Sequence, residues 1–339
     1  MTSDQRKSAF IRLGNFLKSN DEELNTTIQS SQHSNAWFTP AEVLNAIIAN
    51  GNMLNEAFVN EWFTQYKQQL SAPVQKRIGL ILAGNIPMVG FHDILCVLAT
   101  GNIALIKLSS HDKKLIPYLL HKLTDFEPAF ADQFIFIERL EGFDAVIATG
   151  SNNSSRYFDY YFSKVPHIIR KNRNSIAVLS GKETTQQLHL LGRDIFSYYG
   201  LGCRNVSKLF VPEGYNFNHF FESIQSYEDI ANHHKYNNNY DYNKSIYLVN
   251  RVPHLDNGFL LLKSDESLAS PLSVLYYEEY SDKQSVRKKL DAIADKIQCI
   301  VTADPLDLAT QQVSFGESQQ PQLWDYADGI DTMKFLLNL

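Results

Sequence analysis

A glycine-flanked cysteine is the residue of this sequence best suited to covalent chemistry. Cys203 lies in the segment 200–205, Gly-Leu-Gly-Cys-Arg-Asn, which is predicted to be a turn between a helix and a strand. The two glycines let the backbone approach a ligand closely, and Arg204 and Lys208 supply positive charge that would lower the thiol pKa. Such a thiol can act as a nucleophile toward a carbonyl carbon. The alternative is a loop cysteine with a structural role only.

The other two cysteines have different surroundings. Cys96 lies in an apolar helical stretch and Cys299 in an apolar strand, so both are predicted to be small buried side chains. Three widely spaced cysteines do not suggest a disulfide framework and fit a reducing compartment. The ten histidines show no HxxxH spacing and the cysteines no CxxC spacing, so we expect no metal site.

Glycines and small polar residues follow two of the predicted strands. Gly84 and Asn85 follow the first strand, and Thr149, Gly150 and Ser151 end a later one. A glycine lets a cofactor approach closely, and the amino end of the helix after Ser151 favours a pyrophosphate. The first strand–helix turn lacks the GxGxxG pattern, so the usual dinucleotide fingerprint is absent.

The elements around these motifs are those of an α/β protein. The first 70 residues have helical periodicity, with a helix start at Thr39 and Pro40. From residue 77 onward, short apolar runs alternate with helical stretches, which predicts βαβ units and a parallel sheet. The predicted strands span residues 77–83, 103–107, 134–137, 145–149, 175–179, 207–211, 246–249, 273–277 and 298–302.

Two further features of the sequence bear on how the chain divides into domains. Residues 233–244 include three consecutive asparagines and are predicted to form a surface loop. The pattern changes from helical to α/β at Ala72-Pro73. We therefore expect a helical segment over 1–70 followed by about two α/β units.

Charge and hydropathy exclude several classes of protein. Lys and Arg number 31 against 37 Asp and Glu, a net charge of −6, whereas a general nucleic-acid binder would be basic. No apolar run reaches about 18 residues, so no membrane span is expected. The first residues lack the apolar stretch of a signal peptide. A cytoplasmic protein is expected, and 339 residues allow about two domains.

The cysteine segment resembles the catalytic segment of the aldehyde dehydrogenase superfamily. A glycine lies three residues before Cys203, and Ser207 and Lys208 follow it at four and five residues, ahead of a strand. More closely, the chain from about residue 75 onward resembles the LuxC-type acyl-CoA reductases, the fatty acid reductase branch of that superfamily. The motifs that carry this resemblance, in order, are residues 82–87, 101–107, 148–151, 199–211 and 325–336.

The resemblance implies a fold and a site. The fold would be aldehyde-dehydrogenase-like, with two doubly wound, Rossmann-like domains after the helical segment over 1–70. The cofactor-binding domain would span 71–172 together with 311–339, and the catalytic domain would span 173–310. Cys203 would be the nucleophile, and the Asn85 amide with the Cys203 backbone N–H would stabilise the oxyanion. Lys107 would reach the adenosine ribose, and the strand-end residues Thr149, Gly150 and Ser151 would complete the cofactor site.

The region after Lys107 bears on cofactor choice. Many NAD-preferring relatives have a glutamate three residues after this lysine, where it would repel a ribose 2′-phosphate. Here that residue is Ser110, followed by His111, Lys113 and Lys114. The missing carboxylate and the nearby cations favour NADPH. The alternative is a helix start with ordinary surface lysines.

One departure from the family pattern separates two chemistries. Arg170 occupies the position of the glutamate general base of relatives that oxidise aldehydes to free acids. An arginine cannot act as a general base at neutral pH, so thioester reduction is favoured over aldehyde oxidation. With Lys164, His167, Lys171 and Arg173 it forms either a phosphate-contacting cluster or, the preferred interpretation, a solvated basic face.

The resulting hypothesis is an NADPH-dependent reductase of acyl-CoA or acyl-carrier thioesters that works through an acyl-Cys203 intermediate. One alternative keeps the fold: an aldehyde dehydrogenase or an acyl-phosphate reductase. The other is a nucleotide-binding regulatory protein without activity. The resemblance implies a homo-oligomer, and the helical segment could hold an acyl-transferase or synthetase partner.

Overall fold

A computed structural model describes residues 1–71 and 74–339, which divide into two compact units. Unit 1 comprises Met1–Asn172 and Gln320–Leu339, and unit 2 comprises Arg173–Gln319. The predicted change of pattern at Ala72-Pro73 lies outside the described residues. The helical segment is part of unit 1, and the chain returns to that unit at Gln320 rather than at residue 311.

Four helices precede the sheet of unit 1: α1 (Ser3–Leu17), α2 (Glu22–Ser30), α3 (Pro40–Met53) and α4 (Glu56–Gln65). A capping box starts α1, because the Thr2 hydroxyl accepts from the Gln5 N–H and the Gln5 side chain accepts from the Thr2 N–H. The start of α3 at Pro40 confirms the predicted one. Buried residues of these helices and of the sheet belong to one apolar core.

The sheet of unit 1 is parallel and five-stranded, in the order β3-β2-β1-β4-β5. Its strands and helices are β1 (Arg77–Ile81), α5 (Phe91–Ala99), β2 (Ile103–Lys107), α6 (Leu115–Phe126), β3 (Phe134–Phe136), β4 (Ala145–Thr149), α7 (Asn152–Phe162) and β5 (His167–Arg170). The order reverses beside β1, which pairs with both β2 and β4. The loops after β1 and β4 therefore flank the crevice where open α/β sheets bind ligands.

Unit 2 contains a seven-stranded sheet in the order β12-β11-β6-β7-β10-β9-β8, parallel except for the β8–β9 pair. The elements are β6 (Asn174–Val178), α8 (Thr185–Phe196), β7 (Val206–Pro212), α9 (Asn218–Ile224), α10 (His234–Val249), β8 (Leu255–Asp256), β9 (Leu261–Ser264), β10 (Val274–Tyr280), α11 (Lys283–Ala292), β11 (Ile297–Thr302) and β12 (Gln312–Val313). Both sheets are doubly wound, as predicted.

Two predictions in unit 2 are wrong. The predicted loop over 233–244 and the predicted strand over 246–249 together form the single helix α10. Its buried residues are Tyr236, Tyr240, Asn243 and Tyr247, which recur at helical spacing on one face. Packing of these tyrosines overrides the turn preference of the asparagines. The strand β5 of unit 1 and the strands β8, β9 and β12 of unit 2 were not predicted either.

The returning segment ends in helix α12 (Thr332–Leu337) and packs into the core of unit 1. The Tyr326 hydroxyl accepts from the Trp62 indole N–H at 2.8 Å and lies 2.8 Å from the Tyr66 hydroxyl. Tyr66 also donates to the Asp331 carboxylate at 2.9 Å, and burial raises its pKa to about 12. Within the described ranges, no helix has the length and apolar character needed to cross a membrane.

Candidate functional site

The predicted cofactor residues lie at the carboxyl edge of the sheet in unit 1. Ile81 of β1 is in register with Lys107 of β2 and with Ala148 of β4, so the three strands end at the same level. Asn85 and Lys107 are exposed at this edge. Ser110 and Ser151 are also exposed, and Thr149 and Gly150 are half-buried. The topology thus gathers the loops that carry all these residues.

The loop that carries Asn85 is held by its neighbours. A Cβ atom on Gly84 would lie 2.4 Å from the Ser109 hydroxyl, so only glycine allows the loops after β1 and β2 to pack this closely. Met88, with a φ of 60°, donates its N–H to the buried Asp112 carboxylate at 2.9 Å. Burial raises the pKa of Asp112. Asn85 therefore projects from a fixed turn.

The loop after β4 starts a helix at the same edge. The Ser151 hydroxyl accepts from the Ser154 N–H at 3.2 Å and caps α7. A Cβ on Gly150 would lie 2.8 Å from the Phe158 ring, so this loop also packs closely. A helix amino end, an ammonium group, an amide and hydroxyls fit the phosphates and ribose hydroxyls of a dinucleotide.

Arg170 does not lie on a solvated basic face, so that prediction is wrong for this residue, whereas Lys164 and Lys171 are exposed. The Arg170 guanidinium is buried at the end of β5, where Nε and Nη2 donate to the two carboxylate oxygens of Asp93 at 3.0 and 2.6 Å. The remaining bonds run to the Ala327 carbonyl at 2.7 Å and the Thr332 hydroxyl at 2.9 Å. Arg170 thus joins β5, α5 and the returning segment.

Cys203 lies in unit 2, in the turn between α8 and β7. Tyr198, Tyr199 and Gly200 precede it with φ values of 51°, 58° and 79°, a left-handed run that ends the helix. The turn is closed by the Asn205 N–H, which donates to the Gly202 carbonyl at 3.1 Å. Cys203 is partly exposed. As predicted, Cys96 and Cys299 are buried, so Cys203 is the most accessible of the three thiols.

Lys208 has a different role from the one predicted for it. Its side chain is fully buried, and Nζ donates to the Glu278 carboxylate and to the Glu266 carbonyl, both at 2.8 Å. Burial lowers its pKa. Because the Glu278 carboxylate neutralises its charge, Lys208 does not supply the positive charge that was predicted to lower the pKa of the Cys203 thiol. Ser207 donates to the Leu268 carbonyl at 2.7 Å, so both residues anchor the segment before β10.

Sequence reasoning missed three buried polar residues around the cysteine turn. Asn205 and Ser175 form hydrogen bonds with the backbone of the turn. Asp194, near the end of α8, accepts from the Gly316 and Ser318 N–H groups at 2.6 and 2.9 Å, and burial raises its pKa to about 6. Asn205 alone carried a signal, because asparagines in turns often bond to nearby backbone.

The predicted site residues are thus distributed over both units. Asn85 and the five predicted cofactor residues belong to unit 1, and Cys203 belongs to unit 2. Within residues 1–71 and 74–339, no group of three His, Cys, Asp or Glu side chains could hold a metal ion.

Comparison with solved structures decides the fold. Aldehyde dehydrogenase 21 from Physcomitrella patens, in complex with the reaction product succinate, matches with a TM-score of 0.67 and 13% identity over 100% of this chain and 84% of that one. The chain has the aldehyde dehydrogenase fold. The Delta-pyrroline-5-carboxylate dehydrogenase from Mycobacterium tuberculosis matches with a TM-score of 0.63 and 14% identity, over 93% of this chain and 71% of that one.

A third structure agrees with this fold. The NAD-dependent aldehyde dehydrogenase from Sinorhizobium meliloti has a TM-score of 0.60 and 10% identity, over 89% of this chain and 70% of that one. No model of a protein family matches the chain, and no curated protein matches it by sequence. These identities establish the fold alone.

Proposed function

We propose that this protein is an NADPH-dependent reductase that converts the acyl thioester of coenzyme A or of an acyl carrier protein into an aldehyde. The observation that carries the proposal is a partly exposed cysteine in a braced turn of the aldehyde dehydrogenase fold. Arg170, at the position where aldehyde-oxidising relatives have a general base, supports reduction rather than hydrolysis because it is held by Asp93 and cannot accept a proton.

The chemistry follows from the nucleophile. The Cys203 thiolate attacks the thioester carbonyl, a carbon–sulfur bond forms, and the negative charge moves to oxygen. The Cys203 backbone N–H stabilises that charge, and the resemblance assigns a second donor to Asn85. The bond to the carrier sulfur then breaks, and the carrier thiolate leaves and takes a proton from solvent. The acyl group remains on Cys203 because Arg170 stands where aldehyde-oxidising relatives have the base that activates water.

The edge of the unit 1 sheet suits the cofactor. Lys107 would contact the adenosine ribose, and the α7 amino end at Ser151 would face the pyrophosphate. Ser110 leaves room for a 2′-phosphate beside Lys113 and Lys114, which are exposed. When bound, the reduced nicotinamide supplies the hydride that turns the acyl group into an aldehyde. This proposal includes a cytoplasmic location and a homo-oligomeric state, with an acyl-transferase or synthetase as donor of the acyl group.

The proposal is tested by mass spectrometry of the enzyme after incubation with acyl-CoAs of different chain length, without NADPH. We expect an acyl adduct on Cys203 that disappears on addition of NADPH as aldehyde is released. Cys203→Ala should form no adduct and lose more than about 10³-fold in activity, because the nucleophile is gone. Cys96→Ala, which removes a buried thiol of unit 1, is the matched control and should stay active.

Two outcomes would contradict this function. Oxidation of aldehydes to free acids, with no adduct from any thioester, would identify an aldehyde dehydrogenase. Adducts from acyl phosphates alone would identify an acyl-phosphate reductase. A regulatory protein without activity is disfavoured by the intact cysteine turn.

A further inference from the structure

Ser175 holds the carbonyl group of the nucleophile itself. This serine lies on β6 and is fully buried. Its hydroxyl donates to the Cys203 carbonyl at 3.0 Å, accepts from the Cys299 N–H at 3.3 Å and lies 3.1 Å from the Cys299 sulfur. A hydroxyl has one proton and two acceptor sites, so this set is complete when the Cys299 thiol donates. The Cys203 carbonyl is therefore tied to the middle of the sheet.

Asn205 holds the residue on the other side of the nucleophile. Its side-chain oxygen accepts from the Gly202 N–H at 2.8 Å, and its own backbone N–H donates to the Gly202 carbonyl. The side-chain NH₂ donates to the Ser197 carbonyl at 2.8 Å, beyond the end of α8. Asn205 is buried, so these bonds are shielded from water.

Together these bonds fix the direction of one N–H group. The peptide between Gly202 and Cys203 is planar, so its N–H points opposite to the Gly202 carbonyl that Asn205 holds. The next peptide is held through the Cys203 carbonyl by Ser175. Charge on an oxyanion is stabilised best by donors that are already oriented when it forms.

We propose that Ser175 and Asn205 are positioning residues for acyl transfer, which aim the Cys203 N–H at the oxyanion of the thioester adduct. This inference rests on the proposed function. It predicts that the two residues matter for reactions of Cys203 that pass through an oxyanion and matter little for reactions that do not.

The test compares two reactions of the same sulfur in Ser175→Ala. In alkylation by iodoacetamide, a sulfur–carbon bond forms as iodide leaves, and no oxyanion arises. In acylation by an acyl-CoA, the tetrahedral oxyanion forms before the coenzyme A thiolate leaves. We expect the acylation rate of Cys203 to fall about 10-fold or more, and its alkylation rate at high pH to change less than about 2-fold.

Three further variants complete the experiment. Ser175→Thr keeps the hydroxyl and should restore most of the acylation rate. Asn205→Ala removes the second brace and should show the same split between acylation and alkylation. The matched control is Ser223→Ala on α9, because Ser223 is also a buried serine of unit 2 that donates to a backbone carbonyl, and both rates should stay at the wild-type level.

Several results would overturn the inference. One is an unchanged rate of acylation in Ser175→Ala and Asn205→Ala. Equal losses of rate in acylation and alkylation, or loss of folding in both variants, would also overturn it, because the hydrogen bonds would then serve stability alone. If the wild-type enzyme takes no acyl group from any thioester, the proposed function fails first, and this inference with it. If the wild type is acylated and the variants are acylated equally fast, only the inference fails.

Discussion

The strand-end loops of unit 1 and the cysteine turn of unit 2 present their functional groups in different ways. At the strand ends, Asn85, Lys107 and Ser110 are exposed polar side chains brought together by parallel strands that end at one level. In the cysteine turn, buried Ser175 and Asn205 hold the backbone on both sides of a partly exposed thiol. Topology alone can bring polar side chains to one edge of a sheet, whereas the backbone around Cys203 is also fixed by local hydrogen bonds.

The two regions also use positive charge differently. Lys107, Lys113 and Lys114 are exposed and can meet an anionic ligand. Lys208, five residues after the cysteine, is buried and paired with Glu278. A basic residue near a predicted site motif is therefore available to a ligand in the first region and serves architecture in the second, a distinction that the residue type does not reveal.

The largest expected effect concerns the buried ion pair between Arg170 and Asp93 in unit 1. Arg170→Ala should lower the free energy of unfolding by about 3–5 kcal/mol, because it leaves the Asp93 carboxylate buried without its partner. The measurement is urea unfolding of the full chain. Arg139→Ala is the control, since its ion pair with Glu141 is exposed and worth about 0–1 kcal/mol. Equal losses in the two variants would show that the buried pair does not support the sheet edge of unit 1.

The stabilisation that Asp194 provides near the cysteine turn should depend on pH. Burial raises the pKa of Asp194 from its usual 3.8 to about 6, so the folded protein binds more protons than the unfolded chain between these values. The contribution of this group to stability is therefore complete below pH 3.8 and lost as the pH rises through 6. The free energy of unfolding of the wild type, measured relative to that of Asp194→Asn, should decline by about 2 kcal/mol from pH 4.5 to 7.

Urea unfolding across that pH range measures this difference. Because the comparison is between wild type and variant, other titrating groups cancel. Parallel stability curves for the two proteins would mean that Asp194 is already ionised at pH 4.5 and that its bonds to Gly316 and Ser318 outweigh its burial.

The smallest expected effect concerns cofactor choice at the strand ends. Ser110→Glu should lower kcat/KM for NADPH relative to NADH by about 10-fold, because a carboxylate there would repel the 2′-phosphate. Steady-state kinetics with both cofactors measure the ratio. Ser163→Glu, an exposed serine at the far end of α7, adds the same charge and should leave the ratio unchanged. An unaltered ratio in Ser110→Glu would show that this loop does not contact the 2′-phosphate of NADPH.

The sequence predicted those parts of the fold that local pattern determines. Continuous apolar runs such as Ile103–Lys107 indicate strands buried on both faces, and these predictions are confirmed. Helix α10 was missed because its asparagines favour turns, although Tyr236, Tyr240 and Tyr247 carry the helical period. The short strand His167–Arg170 mixes polar and apolar residues and has no clear period.

The site could be predicted only where the functional residue itself carries the signal. Cys203 stands out because glycines flank it. Ser175 is an ordinary serine in a strand, and only the pairing of β6 with β7 brings it to the cysteine turn. Arg170 seemed a surface cation in the sequence because its partner Asp93 lies far along the chain. Contacts of this kind depend on the assembled sheet and have no local pattern.

The contact between Trp62 and Tyr326 has a consequence for the order of events during synthesis. Unit 2 is one continuous stretch of chain, and the ribosome finishes it before it makes Tyr326. The unit that contains Cys203 can therefore complete its core while the other unit still lacks its C-terminal segment. Until the last segment arrives, Trp62 has no hydrogen-bond partner in Tyr326, and part of the apolar core is open to chaperones.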